Sequence, residues 1–183
     1  MESTSVQKIA KVLNILVLAA FVCNLIALPI VPPLVYWRDN PFALAARQAL
    51  AGRLFQCWLE GLFKVWSSPV SAMLALFLLF SGVCTAVILW QARRVLGAIL
   101  RGEPFSMENA VSLKRAALCA FLIAAAALVR LVFSVCFFQS MRPLATYNAL
   151  FVPIFAMAGL LCLVMSALFR QAAELKAEND LTI

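Results

Sequence analysis

Histidine is absent from all 183 residues, and carboxylates number only eight. Without imidazole there is no Ser-His-Asp triad and no His-containing zinc set. Six cysteines are present, but no two form a C-x-x-C pair. Clustered thiolate chemistry, metal-binding or redox, therefore lacks its usual spacing. No phosphate-cradling G-x-x-x-x-G-K-[ST] occurs, and no carboxylate pair lies inside an apolar run. Charged residues make up 13% of the chain, against roughly a quarter in a soluble domain. These absences point away from an enzyme. No catalytic residue, cofactor or metal site is expected.

What the chain has instead is apolar length. Hydrophobic residues make up 65%, and the mean hydropathy is +0.99. A chain of this size cannot bury that much apolar surface in water. Lipid is the expected surrounding. Four runs, about 12–37, 69–90, 116–138 and 148–169, each reach 22 residues or more. At ~1.5 Å per residue that is ~33 Å of helix, enough for a ~30 Å hydrocarbon core. Backbone groups in lipid must pair within their own segment, which favours helices. Period-two polarity, the mark of barrel strands, is missing. The fold class is therefore all-α, an integral membrane four-helix bundle forming a single domain over 1–183. Lys8 and Lys11 precede the first run as in a signal peptide. Its apolar core is too long for one and no clean cleavage site follows, so an uncleaved span is expected.

Net charge is +7, and the basic residues cluster at the ends of the runs. That placement suits anionic headgroups. No compact basic domain or reading helix is present, so no direct nucleic-acid contact is expected. Counting Lys and Arg gives nine on one side: Lys8, Lys11, Arg93, Arg94, Arg101, Lys114, Arg115, Arg170 and Lys176. The other side has five: Arg38, Arg47, Arg53, Lys64 and Arg142. The positive-inside rule then puts both termini and the second connection in the cytoplasm. An even number of spans is consistent with that.

The first connection adds an element. Pro29, Pro32 and Pro33 should kink or end the first helix. Over about 41–66 an amphipathic interfacial helix is expected. Arg53, Gln56, Glu60 and Lys64 share one sector, and Leu54, Phe55, Trp58, Leu59, Leu62 and Trp66 fill much of the opposite side. It could lie on the outer leaflet or cover a cavity in the bundle. Arg130 is the one ionisable residue well inside a span, a candidate buried charge. It either snorkels to headgroups, Glu60 or Asp39, or forms a site for an anionic ligand. Small residues recur every fourth position at Ala116, Ala120 and Ala124, at Ala158, Cys162 and Ser166, and at Ser81 and Thr85. Such stripes favour close helix packing and leave a homo-oligomer open. The five cysteines within spans read as small apolar residues. Cys57 stands outside them.

The second connection, 91–115, reads as a helical hairpin. The second helix should pass the membrane to Leu100 and stop at Gly102, followed by Pro104. Ser106 is the expected N-cap, with Glu108 in the first turn and Asn109 where a full capping box would place Glu or Gln. The tail 170–183 should continue the fourth helix to about Glu178, with Arg170 and Glu174 paired at i, i+4.

"GEPFSMENAVSLKR" and "AELKAENDLTI" together resemble a bacterial family, domain of unknown function 2975. Gly102, Pro104, Phe105 and Asn109 match its hairpin. Glu178, Asn179, Asp180, Leu181 and Thr182 match its ending. The long outer loop is less typical of it. The resemblance implies a multi-pass protein of the bacterial cytoplasmic (inner) membrane without an established activity. It also implies an association with small helix-turn-helix regulators. The leading expectation is a non-catalytic interaction or regulatory module. Its cytoplasmic hairpin and tail, through those nine matching residues, would hold a small partner such as a helix-turn-helix regulator. The alternatives are a small-solute or peptide transport or immunity-type protein using Arg130 and the outer loop, and a structural subunit of a membrane complex.

Overall fold

The computed structural model describes residues 5–39, 54–103, 105–141 and 147–180. Among the described residues six α-helices run in chain order: α1 (Ser5–Ala27), α2 (Val31–Asp39), α3 (Leu54–Lys64), α4 (Pro69–Leu100), α5 (Met107–Phe138) and α6 (Tyr147–Asp180). Single 3-10 turns join α1 to α2 and follow α3. No strand occurs among the described residues. Among the described residues four stretches are long and apolar enough to cross a membrane: Lys8–Arg38, Pro69–Leu100, Met107–Phe138 and Ala149–Asn179. The chain is a multi-pass membrane protein built as a four-helix bundle.

The long helices pack in chain order, α1 on α4, α4 on α5 and α5 on α6, and the last pairing is the most extensive. Accordingly α5 is the most enclosed, with 44% of its apolar window buried against 6% for α1. Its buried side chains include Ala116, Ala117, Ala120, Ala124 and Ala127, with Ile123 fully enclosed. The small-residue stripe of the third span is thus a packing seam, since alanine lets backbones come close. On α6 the buried positions are Gly159 and Ser166, with Ala158 and Cys162 half-buried. A Cβ on Gly159 would come within 3.0 Å of the Phe121 ring, so α5 and α6 touch there.

The prolines act as their chemistry requires. Helical geometry continues from α1 through the 3-10 turn Leu28–Ile30 into α2, but the ladder is cut. Pro33 has no N–H, so the carbonyl of Pro29 loses its i+4 donor. The indole N–H of Trp58, from α3, donates to that carbonyl at 3.2 Å. Gly61, one turn on, lies so close to Pro33 that a Cβ would sit 2.7 Å from the proline Cα. Helix α3 is therefore docked on the broken end of the first span.

Two expectations change in extent. The amphipathic helix expected over 41–66 is described as helix from Leu54 to Lys64, and 40–53 lie outside the described residues. Its apolar side is also divided. Trp58, Gly61 and Val65 turn inward, while Phe55, Phe63 and Trp66 remain exposed where lipid would meet them. The side chain of Cys57 is outside the description.

Candidate functional site

Two regions gather polar chemistry, at opposite ends of the bundle. The first is the hairpin end, which also carries Ser5 and Asp180. At 32–34 residues each, α4, α5 and α6 are ~48–51 Å long and outrun a ~30 Å core. The surplus falls at this end.

The turn between α4 and α5 is closed at both sides. Gly102 takes φ +82°, the left-handed conformation that suits glycine. Its N–H donates to Ile99 O at 3.1 Å, and the N–H of Glu103 donates to Ala98 O at 3.0 Å. Those two bonds are the Schellman arrangement that closes a helix C-terminus. Ser106 caps α5 by accepting from the Asn109 N–H at 3.3 Å. The Asn109 side-chain amide turns back and donates to Glu103 O at 3.5 Å. Asn109 is only 2% exposed. It ties the turn to the helix and presents almost no surface to a partner.

The hairpin is braced against α6. The Phe105 and Phe169 rings lie 5.7 Å apart. The buried hydroxyl of Ser166 donates to Ala110 O at 2.7 Å. Arg94, Met107, Glu108, Val111, Ser112 and Arg115 line a shallow groove of about 250 Å³ where α4 leaves the bundle beside α5. On α6, Arg170 pairs within its own helix with Glu174 at 2.8 Å. That neighbouring carboxylate raises the Arg170 pKa, chiefly through the hydrogen bond.

The candidate partner-binding residues thus divide. Gly102 and Asn109 build the hairpin, and Phe105 is half exposed while touching Phe169. Glu178 and Asn179 are exposed on the last turn of α6, which ends at Asp180. Pro104, Leu181 and Thr182 lie outside the described residues, as does the Asp180 side chain. Phe105 and Glu178 are not brought together. Nine residues of helix, ~14 Å, separate Phe169 from Glu178.

The second region lies at the opposite end. Arg130 holds its guanidinium carbon 4.5 Å from the centroid of the Phe77 ring, a cation-π contact. It lines a pocket of about 340 Å³ with Arg38, walled by Val31, Leu34, Val35, Leu74, Phe77, Leu78 and Phe151. No carboxylate is among the described lining residues; Glu60 pairs with Lys64 at 3.7 Å, and the Asp39 side chain lies outside the described residues. Arg38 had no special standing in the sequence, because nothing there shows that α2 returns its last turn to the level of Arg130. None of the described α3 side chains lines this pocket.

A protein-family model described as "Protein of unknown function (DUF2975)" matches residues 61–183. No curated protein and no solved structure matches the chain.

Proposed function

The chain belongs to the DUF2975 family, and from that premise we propose that it is a non-catalytic interaction module of the bacterial inner membrane. Its hairpin end faces the cytoplasm and holds a small partner. The observation that supports this reading is the braced extension of α4, α5 and α6 beyond membrane thickness. A turn needs neither three surplus helix ends nor cross-bracing by Ser166 and Phe169 simply to reconnect two spans. A docking platform does, because preorganised contacts spare a partner the cost of ordering them. The groove supplies Arg94 and Arg115, and the tail supplies Glu174 and Glu178. A small helix-turn-helix regulator, with charges of both signs on its surface, is the partner class that fits the family association.

The transport reading finds less support. All residues lining the Arg130 pocket come from one end of the bundle, and a transport path needs both. The test is a pull-down in mild detergent, with the co-expressed regulator as the named partner. Full-length chain is compared with chain ending at Lys176 and with the double variant Arg94→Glu, Arg115→Glu. Recovery by the full chain and loss in both altered chains is expected. Equal recovery from all three would remove hairpin and tail as the docking surface.

A further inference from the structure

We infer that the groove between α4 and α5 at the hairpin end is a binding site for one phosphatidylethanolamine molecule, with its phosphate between Arg94 and Arg115 and its ammonium on Glu108. Four observations lead there. First, Arg94, Glu108, Ser112 and Arg115 share this groove, and among the described residues none of these four side chains makes a hydrogen bond or an ion pair. All four, and their neighbours along the chain, belong to the described residues. Ser112 is only 3% exposed, and a buried hydroxyl left without a partner is costly. Second, the two guanidinium groups converge. Side chains on a helix lean toward its N-terminus, and α4 and α5 run in opposite directions. Arg94 therefore leans back toward the bilayer and Arg115 away from it, both toward the level of Ser112. A phosphate accepts from both guanidinium forks and from the hydroxyl. A primary ammonium, joined to that phosphate by a short link, donates to Glu108.

Third, the depth fits. The second apolar run ends at Trp90 and the third begins at Ala116. Arg94 lies four residues beyond the one and Ser112 four before the other, which is ~6 Å of helix. A headgroup layer is about 5–7 Å thick on each side of the hydrocarbon. Fourth, the ridges that carry the arginines continue as apolar surface. On α4, Trp90 and Val87 stand one and two turns from Arg94. On α5, Leu118 and Leu122 stand one and two turns from Arg115. All four are exposed, Trp90 by 51% and Leu118 by 61%. Acyl chains attached to the phosphate would lie along them, whereas a soluble anion would leave them unused. A groove of about 250 Å³ is smaller than the usual pocket for a whole small ligand and suits a headgroup. Such a site goes beyond the docking reading and stands without it. A partner seated on the hairpin would meet the two arginines with the headgroup already between them.

The test uses the delipidated full chain in detergent and native mass spectrometry. The probes are the dioleoyl forms of phosphatidylethanolamine, phosphatidylcholine and phosphatidylglycerol, and inorganic phosphate. Phosphatidylcholine has the same phosphate and no N–H on its nitrogen. One phosphatidylethanolamine should therefore be retained about tenfold over it, the scale of one charge-assisted hydrogen bond. Glu108→Gln should remove that preference while lipid stays bound. Glu103→Gln, at an exposed carboxylate outside the lining, should leave it intact. Arg94→Gln and Arg115→Gln should each lower retention of all three phospholipids about tenfold. A second pair of variants guards against misfolding of the charge variants. Val111→Trp fills the groove and should lower retention. Val129→Trp, exposed on the same helix and outside the lining, should not. Chain ending at Lys176 should keep the lipid, since none of the described α6 residues lines the groove. The docking reading expects that same chain to lose its partner, so the two readings fail separately. Equal retention of phosphatidylethanolamine and phosphatidylcholine by the unaltered chain would overturn the assignment. So would stronger retention of phosphatidylglycerol, an unchanged preference in Glu108→Gln or unchanged retention in Val111→Trp. Displacement of the lipid by millimolar inorganic phosphate would overturn it too, and would mark a soluble-anion site instead.

Discussion

At the scale of single residues, the proline break shows how one side chain repairs another's defect. Pro33 removes a donor from the Pro29 carbonyl, and Trp58 returns one to it from 29 positions away. An unmade hydrogen bond to a carbonyl in an apolar setting costs about 1–3 kcal/mol. Trp58→Phe keeps an aromatic ring and loses the donor, so it should destabilise the docking of α3 by about 1 kcal/mol. Thermal unfolding in detergent checks this, with Trp66→Phe as a control, since Trp66 is exposed. Gly61→Ala should cost more, because its Cβ would meet Pro33 backbone at 2.7 Å, and backbone does not yield as a flexible side chain does. Gly102 poses the opposite case. A Cβ there meets nothing within 4 Å, and the constraint is φ +82° alone. Gly102→Ala should therefore cost about 1 kcal/mol through conformation, and Gly102→Asn less, since asparagine tolerates the left-handed region. If the two are equal in unfolding, the left-handed φ does not set the cost.

At the scale of elements, the hairpin is where the sequence was most legible. A glycine stop, a serine cap and an acidic first turn are local signals, each read within four residues. Ser106→Ala should cost about 1 kcal/mol. Asn109→Ala removes the amide that holds Glu103 O and should speed hydrogen exchange over 101–112 more than Ser106→Ala does. If Ser106→Ala has the larger effect, the cap rather than the amide closes the turn. The long spans were legible for a similar reason, since apolar length alone announces them. Element contacts were not. No periodicity tells that Trp58 reaches Pro29, or that α3 docks by Gly61 and leaves Phe55 and Phe63 outside. The Arg38–Arg130 pocket was illegible in a further sense. Sequence rules pair opposite charges, and this site gathers like ones, so Arg130 could be singled out while its companion could not. The candidate tail suffered the reverse problem. Its residues were recognisable as a motif, yet Glu174 pairs within its own helix and does not fasten the tail to the hairpin.

At the scale of the molecule, everything functional depends on which way the bundle faces. The family match covers 61–183, so α4, α5, α6 and their hairpin lie within it, while α1 and α2 precede it. Of the long helices, α1 packs chiefly on α4 and presents most of its surface to lipid. It adds a fourth crossing and returns the N-terminus to the hairpin end. The charge count favours that end in the cytoplasm, nine Lys and Arg against five, but the five include Arg38 and Lys64 close to the boundary. The proposed docking platform needs the majority side inward. One labelling pattern checks that. In a cysteine-free background, Lys8→Cys and Lys176→Cys should resist a membrane-impermeant maleimide in intact cells and react after permeabilisation. Lys64→Cys, whose native side chain is 53% exposed, should react in intact cells. The reverse pattern would place the hairpin outside, where no cytoplasmic regulator could meet it. Reaction at Lys176→Cys but not Lys8→Cys would mean an odd number of crossings, with α1 lying outside the bundle.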